Sequence, residues 1–147
     1  MNNYFNEKSL HSTDPKGRLL LPKDIRVDLK INKGDVLYLL PDFSALPYLE
    51  LRTRKQWDLY CKTLRADEGS AQKKDTFRYA MLAKETATVD GQGRILIPQR
   101  IKKACGLDET VAVINMAIYI EVWSGDHMEK KYPELVKAFK KTNDRIF

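Results

Sequence analysis

The chain has 147 residues, of which 43% are hydrophobic and 31% charged, with a net charge of +6 and a pI near 9.3. That length suits one compact unit or two small intertwined halves and leaves no room for a second enzyme-sized domain, while the composition excludes disorder for the body of the chain. The longest apolar run, Val36-Leu37-Tyr38-Leu39-Leu40, falls far short of the roughly 20 residues of a membrane span.

Residues Met1 to Lys8 show no apolar core of a signal peptide, so a cytoplasmic location is expected. Ser9 to Thr13 reads as a short strand, followed by Asp14-Pro15-Lys16-Gly17 and the apolar strand Arg18 to Leu21. Asp at the first position, Pro at the second and Gly at the fourth are the preferences of a type I turn. The spacing therefore predicts a hairpin with Lys16 at its tip and Arg18 at its exit. Pro22 can open a helix whose buried face carries Ile25 and Leu29. Strands over Val36 to Leu40 and Tyr48 to Leu51 follow. Thr53 then caps a helix through Leu64 with Trp57, Tyr60, Cys61 and Leu64 on one face.

Arg65 to Lys74 is polar and without apolar period, which marks a boundary. Beyond it, Asp90-Gly91-Gln92-Gly93-Arg94-Ile95-Leu96-Ile97-Pro98 repeats the first motif at a constant offset of 76, and Ile101 repeats Ile25. Here the glycines are expected to reach the bend by tolerating positive φ, where the first copy presets negative φ with proline. A helix follows, with Ile101 and Cys105 on one face and Gly106 as its stop. Strands over Val111 to Ile114 and Ile118 to Val122 come next, then a helix from about Asp126 interrupted at Pro133. Lys140 to Arg145 reads as a frayed end.

Each half carries a net charge of +3, and in both the excess surrounds the motif. Lys8, Lys16, Arg18, Lys23 and Arg26 cluster around the first, and Arg78, Lys84, Arg94, Arg100, Lys102 and Lys103 around the second. A basic face of this kind favours anionic partners. Cys61 and Cys105 fall at buried helix positions and read as inert core thiols.

The two Asp-x-x-x-Arg motifs, each followed by an apolar triplet and Pro, together with chain length, element order and Phe5, resemble the MraZ family over about residues 1 to 135. The resemblance implies an α+β, mainly β fold. It consists of two tandem swapped-hairpin repeats, similar to the AbrB and SpoVT regulators, in one pseudo-symmetric barrel-like unit with peripheral helices. The implied limits are 5–65 for the first repeat, 66–75 for the linker, 76–135 for the second repeat and 136–147 for a basic end. It further implies a sequence-specific DNA-binding regulator of transcription, a repressor, acting on the division and cell-wall gene cluster and on its own promoter. Such a protein binds short direct repeats in double-stranded DNA as a ring-like homo-oligomer and associates with the nucleoid. No cofactor, metal, membrane or small-molecule substrate is expected. Thr13 and Arg52 depart from the residues usual in the family, and Ile114-Asn115-Met116-Ala117 lacks its usual Gly; these touch packing and subunit contacts more than the tips.

Arg18 offers a fork of donors that suits phosphate or a guanine edge, and Lys16 and Arg94 join it as DNA-contact candidates. Lys8, Lys23 and Arg26 are candidate phosphate contacts, and Asp14, Gly17, Asp90 and Gly93 are assigned to the turns. Because Gln92 replaces Lys16 in the second copy, the two tips are expected to bind unequally. The helices containing Trp57 and Tyr132 are the candidate subunit surfaces. His11 to Asp14 holds triad residue types, but neighbouring strand residues point to opposite faces; His127 is isolated, and no phosphate-binding glycine loop is present, so catalysis is not expected. The alternatives are an antitoxin-like protein-interaction module of the same fold and a ring-forming structural protein.

Overall fold

The repeated segment pairs with its other copy and hardly with itself. The computed structural model describes residues 10–66 and 69–142. The chain runs β1 (Leu10–Ser12), β2 (Arg18–Leu20), α1 (Lys23–Asp28), β3 (Val36–Asp42), β4 (Tyr48–Arg52), α2 (Arg54–Arg65) and α3 (Ala71–Ala83). It continues through β5 (Glu85–Thr88), β6 (Arg94–Leu96), α4 (Gln99–Cys105), β7 (Thr110–Asn115), β8 (Ile120–Ser124), α5 (Gly125–Lys131) and α6 (Pro133–Thr142). Among the described residues the strands form one six-stranded antiparallel sheet, ordered β1-β7-β8-β4-β3-β5, and a separate two-stranded ribbon of β2 with β6. The fold is α+β.

Four of these pairings obey one approximate two-fold. Strand β1 of the first copy lies on β7 of the second, and β5 of the second lies on β3 of the first. The symmetric pairs β2 with β6 and β4 with β8 sit on the axis, with Leu19 opposite Ile95 in one and Glu50 opposite Glu121 in the other. The local hairpin expected at Asp14 is therefore reduced to one bridge between Thr13 and Leu19. Among the described residues the expected barrel-like closure is also absent. Strands β1 and β5 lie at the two ends of the sheet, and the chain leaves each of them at an Asp loop for the ribbon.

Alternation decides what each strand buries. Leu37, Leu39, Leu49, Leu51, Val111, Val113, Ile120 and Val122 face one side and meet Leu19 and Ile95 of the ribbon, Ile25 of α1 and Ile101 of α4 in the main core. On the other face α2 and α3 cover the first copy with Trp57, Cys61 and Ala80, and α5 and α6 cover the second with Met128 and Val136. Trp57 is 5% exposed and stacks on Tyr38 at 5.0 Å, so this side of its helix is covered within the protomer. Tyr132, 45% exposed, borders an apolar cleft with Met116, Trp123 and Leu135.

The helix ends follow from their caps. Thr53 Oγ1 accepts from the Gln56 amide while Gln56 Oε1 accepts from the Thr53 amide, a reciprocal box that starts α2. Ser124 Oγ accepts from the His127 amide and caps α5, which starts at Gly125, one residue from the expected Asp126. Part of the polar stretch 66–75 is not coil, since Ser70 caps α3 from Ala71. Arg52 is buried: it pairs with Glu50 at 2.8 Å and its guanidinium lies between the Tyr60 and Tyr119 rings at 3.8 and 4.8 Å. That sandwich explains how a charge replaces the residue usual there.

Candidate nucleic-acid interface

Each Asp loop is held by its own carboxylate. Asp14 Oδ1 accepts from the amides of Lys16 and Arg18 at 3.0 and 2.9 Å, and Oδ2 accepts from Arg18 Nε at 2.7 Å. Asp90 repeats this with the amides of Gln92 and Arg94, both at 2.9 Å, and with Arg94 Nε at 3.0 Å. The Gly17 and Gly93 amides close the turns on the Asp14 and Asp90 carbonyls at 2.9 and 3.1 Å. Both glycines take positive φ, 86° and 79°, and Gly91 does not. The two loops thus share one conformation, and the expected contrast between a proline bend and a glycine bend is corrected: the fourth position carries the positive φ in both.

The hydrogen bond from the Arg18 amide, against the opposing effect of burial and with help from the Arg18 side chain, holds the Asp14 carboxyl below the usual range; at Asp90 the Arg94 amide leads, burial again opposes, and the Gln92 amide and the Arg94 side chain add to it. Each carboxylate is therefore ionised at neutral pH and spent on the turn. It engages only Nε of its arginine and leaves both terminal nitrogens without a bond among the described residues. The Arg18 and Arg94 side chains remain 35% and 29% exposed. Each presents a held, partly open guanidinium, the geometry that suits bidentate recognition.

The flanking cations are exchanged between copies. Arg26 of α1 donates from Nε to the Leu21 carbonyl at 3.0 Å, and its guanidinium packs on Gly93, where a Cβ would lie 2.6 Å from Nη1. Lys102 of α4, 76 residues after Arg26, lays its Cδ 3.4 Å from the equivalent point at Gly17. Sequence position groups Arg26 with the first motif; the structure puts it on the second. The first tip therefore gathers Lys16, Arg18 and Lys102, and the second Arg94 and Arg26 beside Gln92. Lys23 is exposed in the first turn of α1 and shares a shallow concavity with Arg26 and Lys30. Lys8 lies outside the described residues, as does Phe5. Arg100 pairs through Nε with Glu85 and its side chain stays exposed.

Two residues escape a reading by composition. Leu20 and Leu96 sit within apolar triplets, yet they are 44% and 54% exposed on the outside of the ribbon. Strict alternation from buried Leu19 and Ile95 is the signal that finds them. His127 is not isolated: its ring lies against Gly106 and bonds the Pro47 carbonyl at 2.9 Å. Cys105 is buried and desolvation pushes its thiol up to about 12, while Cys61 is raised for the same reason, as befits core thiols.

Comparison with known proteins bears on most of the chain. A family model described as "MraZ protein, putative antitoxin-like" matches residues 81–147. A protein of Mycoplasmoides gallisepticum named Transcriptional regulator MraZ is 31% identical over 114 residues, covering 77% of this chain and 76% of its own. A protein of the same name from Bacteroides fragilis is 32% identical over 128 residues, covering 86% and 80%. One from Desulforapulum autotrophicum is 27% identical over 129 residues, covering 86% and 84%. With two Asp–Arg loops of one geometry and relatives that match along most of its length, the chain belongs to the MraZ family.

Proposed function

We propose that this protein regulates transcription by binding double-stranded DNA in a sequence-specific manner through its two Asp–Arg loops. The observation that carries the reading is the pairing of the loops. Two equivalent turns, each presenting an arginine held by Nε and flanked by a cation from the opposite copy, lie at the two ends of one ribbon. Lys16, Lys23, Arg26 and Lys102 supply phosphate contacts and Arg18 and Arg94 reach base edges, which separates positioning from readout. The strand exchange between copies supports the swapped-hairpin architecture that the family resemblance implies. On the same resemblance, the protein acts as a repressor of the division and cell-wall gene cluster including its own promoter, and binds short direct repeats as a homo-oligomer.

One ribbon reaches only a few base pairs, and specific regulators typically bind at 10⁻⁸ M or tighter, roughly. Joining several ribbons in one assembly raises effective concentration and gains about 10² to 10⁴ in avidity without a new contact. Direct repeats call for subunits related head to tail. The apolar cleft lined by Met116, Trp123, Tyr132 and Leu135 is the candidate surface. A mobility-shift titration with the DNA upstream of the protein's gene against scrambled DNA, at matched salt, tests the reading. Preferential shift of the upstream DNA is expected, and equal affinity across salt concentrations refutes it.

A further inference from the structure

In the β2–β6 ribbon, Arg18 lies opposite Leu96 and Leu20 opposite Arg94. Leu19 and Ile95, between them, are 0% and 1% exposed and point into the core, so Arg18, Leu20, Arg94 and Leu96 share the outer face. On that face the four side chains form a checkerboard, each leucine with an arginine directly across at about 5 Å between Cβ atoms and another two residues along its own strand. A single exposed leucine means nothing. Two, at symmetric places in a separate ribbon and each beside a guanidinium held open, form a mixed apolar and cationic surface of one design. A two-stranded ribbon fits the major groove, where guanine presents two acceptors and the one apolar feature of any base pair is the C5-methyl group of thymine.

We propose that Leu20 and Leu96 are specificity-determining residues that pack on thymine C5-methyl groups in the major groove, beside the bases read by Arg18 and Arg94. This rests on the reading of the protein as a duplex DNA binder. The arginines supply charge complementarity to the DNA, and the leucines supply what charge cannot: a preference for a methylated pyrimidine edge at the neighbouring step.

The test uses the full chain and the DNA upstream of its gene, synthesised once with thymine and once with deoxyuridine, which keeps every hydrogen-bonding group and lacks only the methyl. Wild-type affinity is expected to fall about fourfold for each contacted thymine, the worth of one methyl-sized group removed from water. The double variant Leu20→Ala with Leu96→Ala, whose exposed positions leave the core intact, is expected to bind thymine DNA more weakly and to lose most of its sensitivity to deoxyuridine. Thermal melting of that variant, unchanged within a few degrees, separates recognition from folding. If the wild type binds upstream DNA specifically but equally well with either base, or if the variant is as sensitive as the wild type, the leucine assignment is overturned and DNA shape accounts for any effect. Failure of the wild type to prefer upstream DNA at all overturns the DNA-binding reading together with this inference.

Discussion

Replacing Gly93 by alanine probes the exchanged cation most sharply, because Gly34 offers a built-in control. Both glycines have positive φ, 79° and 88°, but a Cβ at Gly34 meets nothing within 4 Å, whereas one at Gly93 falls 2.6 to 2.9 Å from three atoms of the Arg26 guanidinium. Holding a non-glycine residue in the left-handed region costs about 1 to 2 kcal/mol, which for a chain of this size lowers Tm by roughly 2 to 8 °C. Gly34→Ala should show that cost alone. Gly93→Ala should show it with about 1 kcal/mol more, since Arg26 must swing away and give up its bond to the Leu21 carbonyl at 3.0 Å. In an Arg26→Ala background the extra cost should vanish and the two alanine variants should match, a coupling that a double-mutant cycle reads from thermal or denaturant melts. DNA affinity should fall for Gly93→Ala and hold for Gly34→Ala. An equal cost of Gly93→Ala with and without the Arg26 side chain refutes the assignment of Arg26 to the second loop.

The Asp14 and Asp90 carboxyls titrate below their ordinary value, so above about pH 4 the folded and unfolded chains hold the same protons there and the turns keep their full contribution. As pH drops toward the lower folded values the unfolded chain takes up protons first, and stability falls. A variant with both aspartates changed to asparagine should lose less Tm than the wild type between pH 5 and pH 2, roughly; parallel curves would contradict the sign. Lys16→Ala should weaken binding to all sequences and reduce the salt slope by about one unit, measured by fluorescence anisotropy over a salt series. Sedimentation at micromolar concentration should show an assembly larger than the 17.0 kDa chain, and a monomer that binds one isolated repeat tightly would contradict the avidity argument.

The parts legible in the sequence were those written twice. The Asp, Arg and Pro at a constant offset located both loops, and the turn chemistry of Asp14 and Gly17 matches their hydrogen bonds. Local reading failed where partners are distant along the chain. A hairpin is the nearest solution for two strands around a turn, yet β2 pairs with β6 because pairing copies buries Leu19 against Ile95. For the same reason Arg26 looked like a neighbour of Arg18 and instead lies on Gly93. Leu20 was hidden in a run of three leucines, where composition carries no phase, and Ser124 and Asp126 are equally good caps in isolation, so the residues alone do not choose between them. Arg52 looked like an anomaly until Tyr119, 67 residues away, closed the second side of its ring sandwich.

The central claim, that the Asp–Arg loops read duplex DNA, is tested most directly by the ratio of affinities for upstream and scrambled DNA, measured for the wild type and for folded Arg18→Ala at one salt concentration. The account predicts a wild-type ratio well above one, and a loss of about 1 to 3 kcal/mol on upstream DNA for Arg18→Ala with a smaller loss on scrambled DNA. A wild-type ratio of one, or an Arg18→Ala ratio equal to that of the wild type, would contradict it.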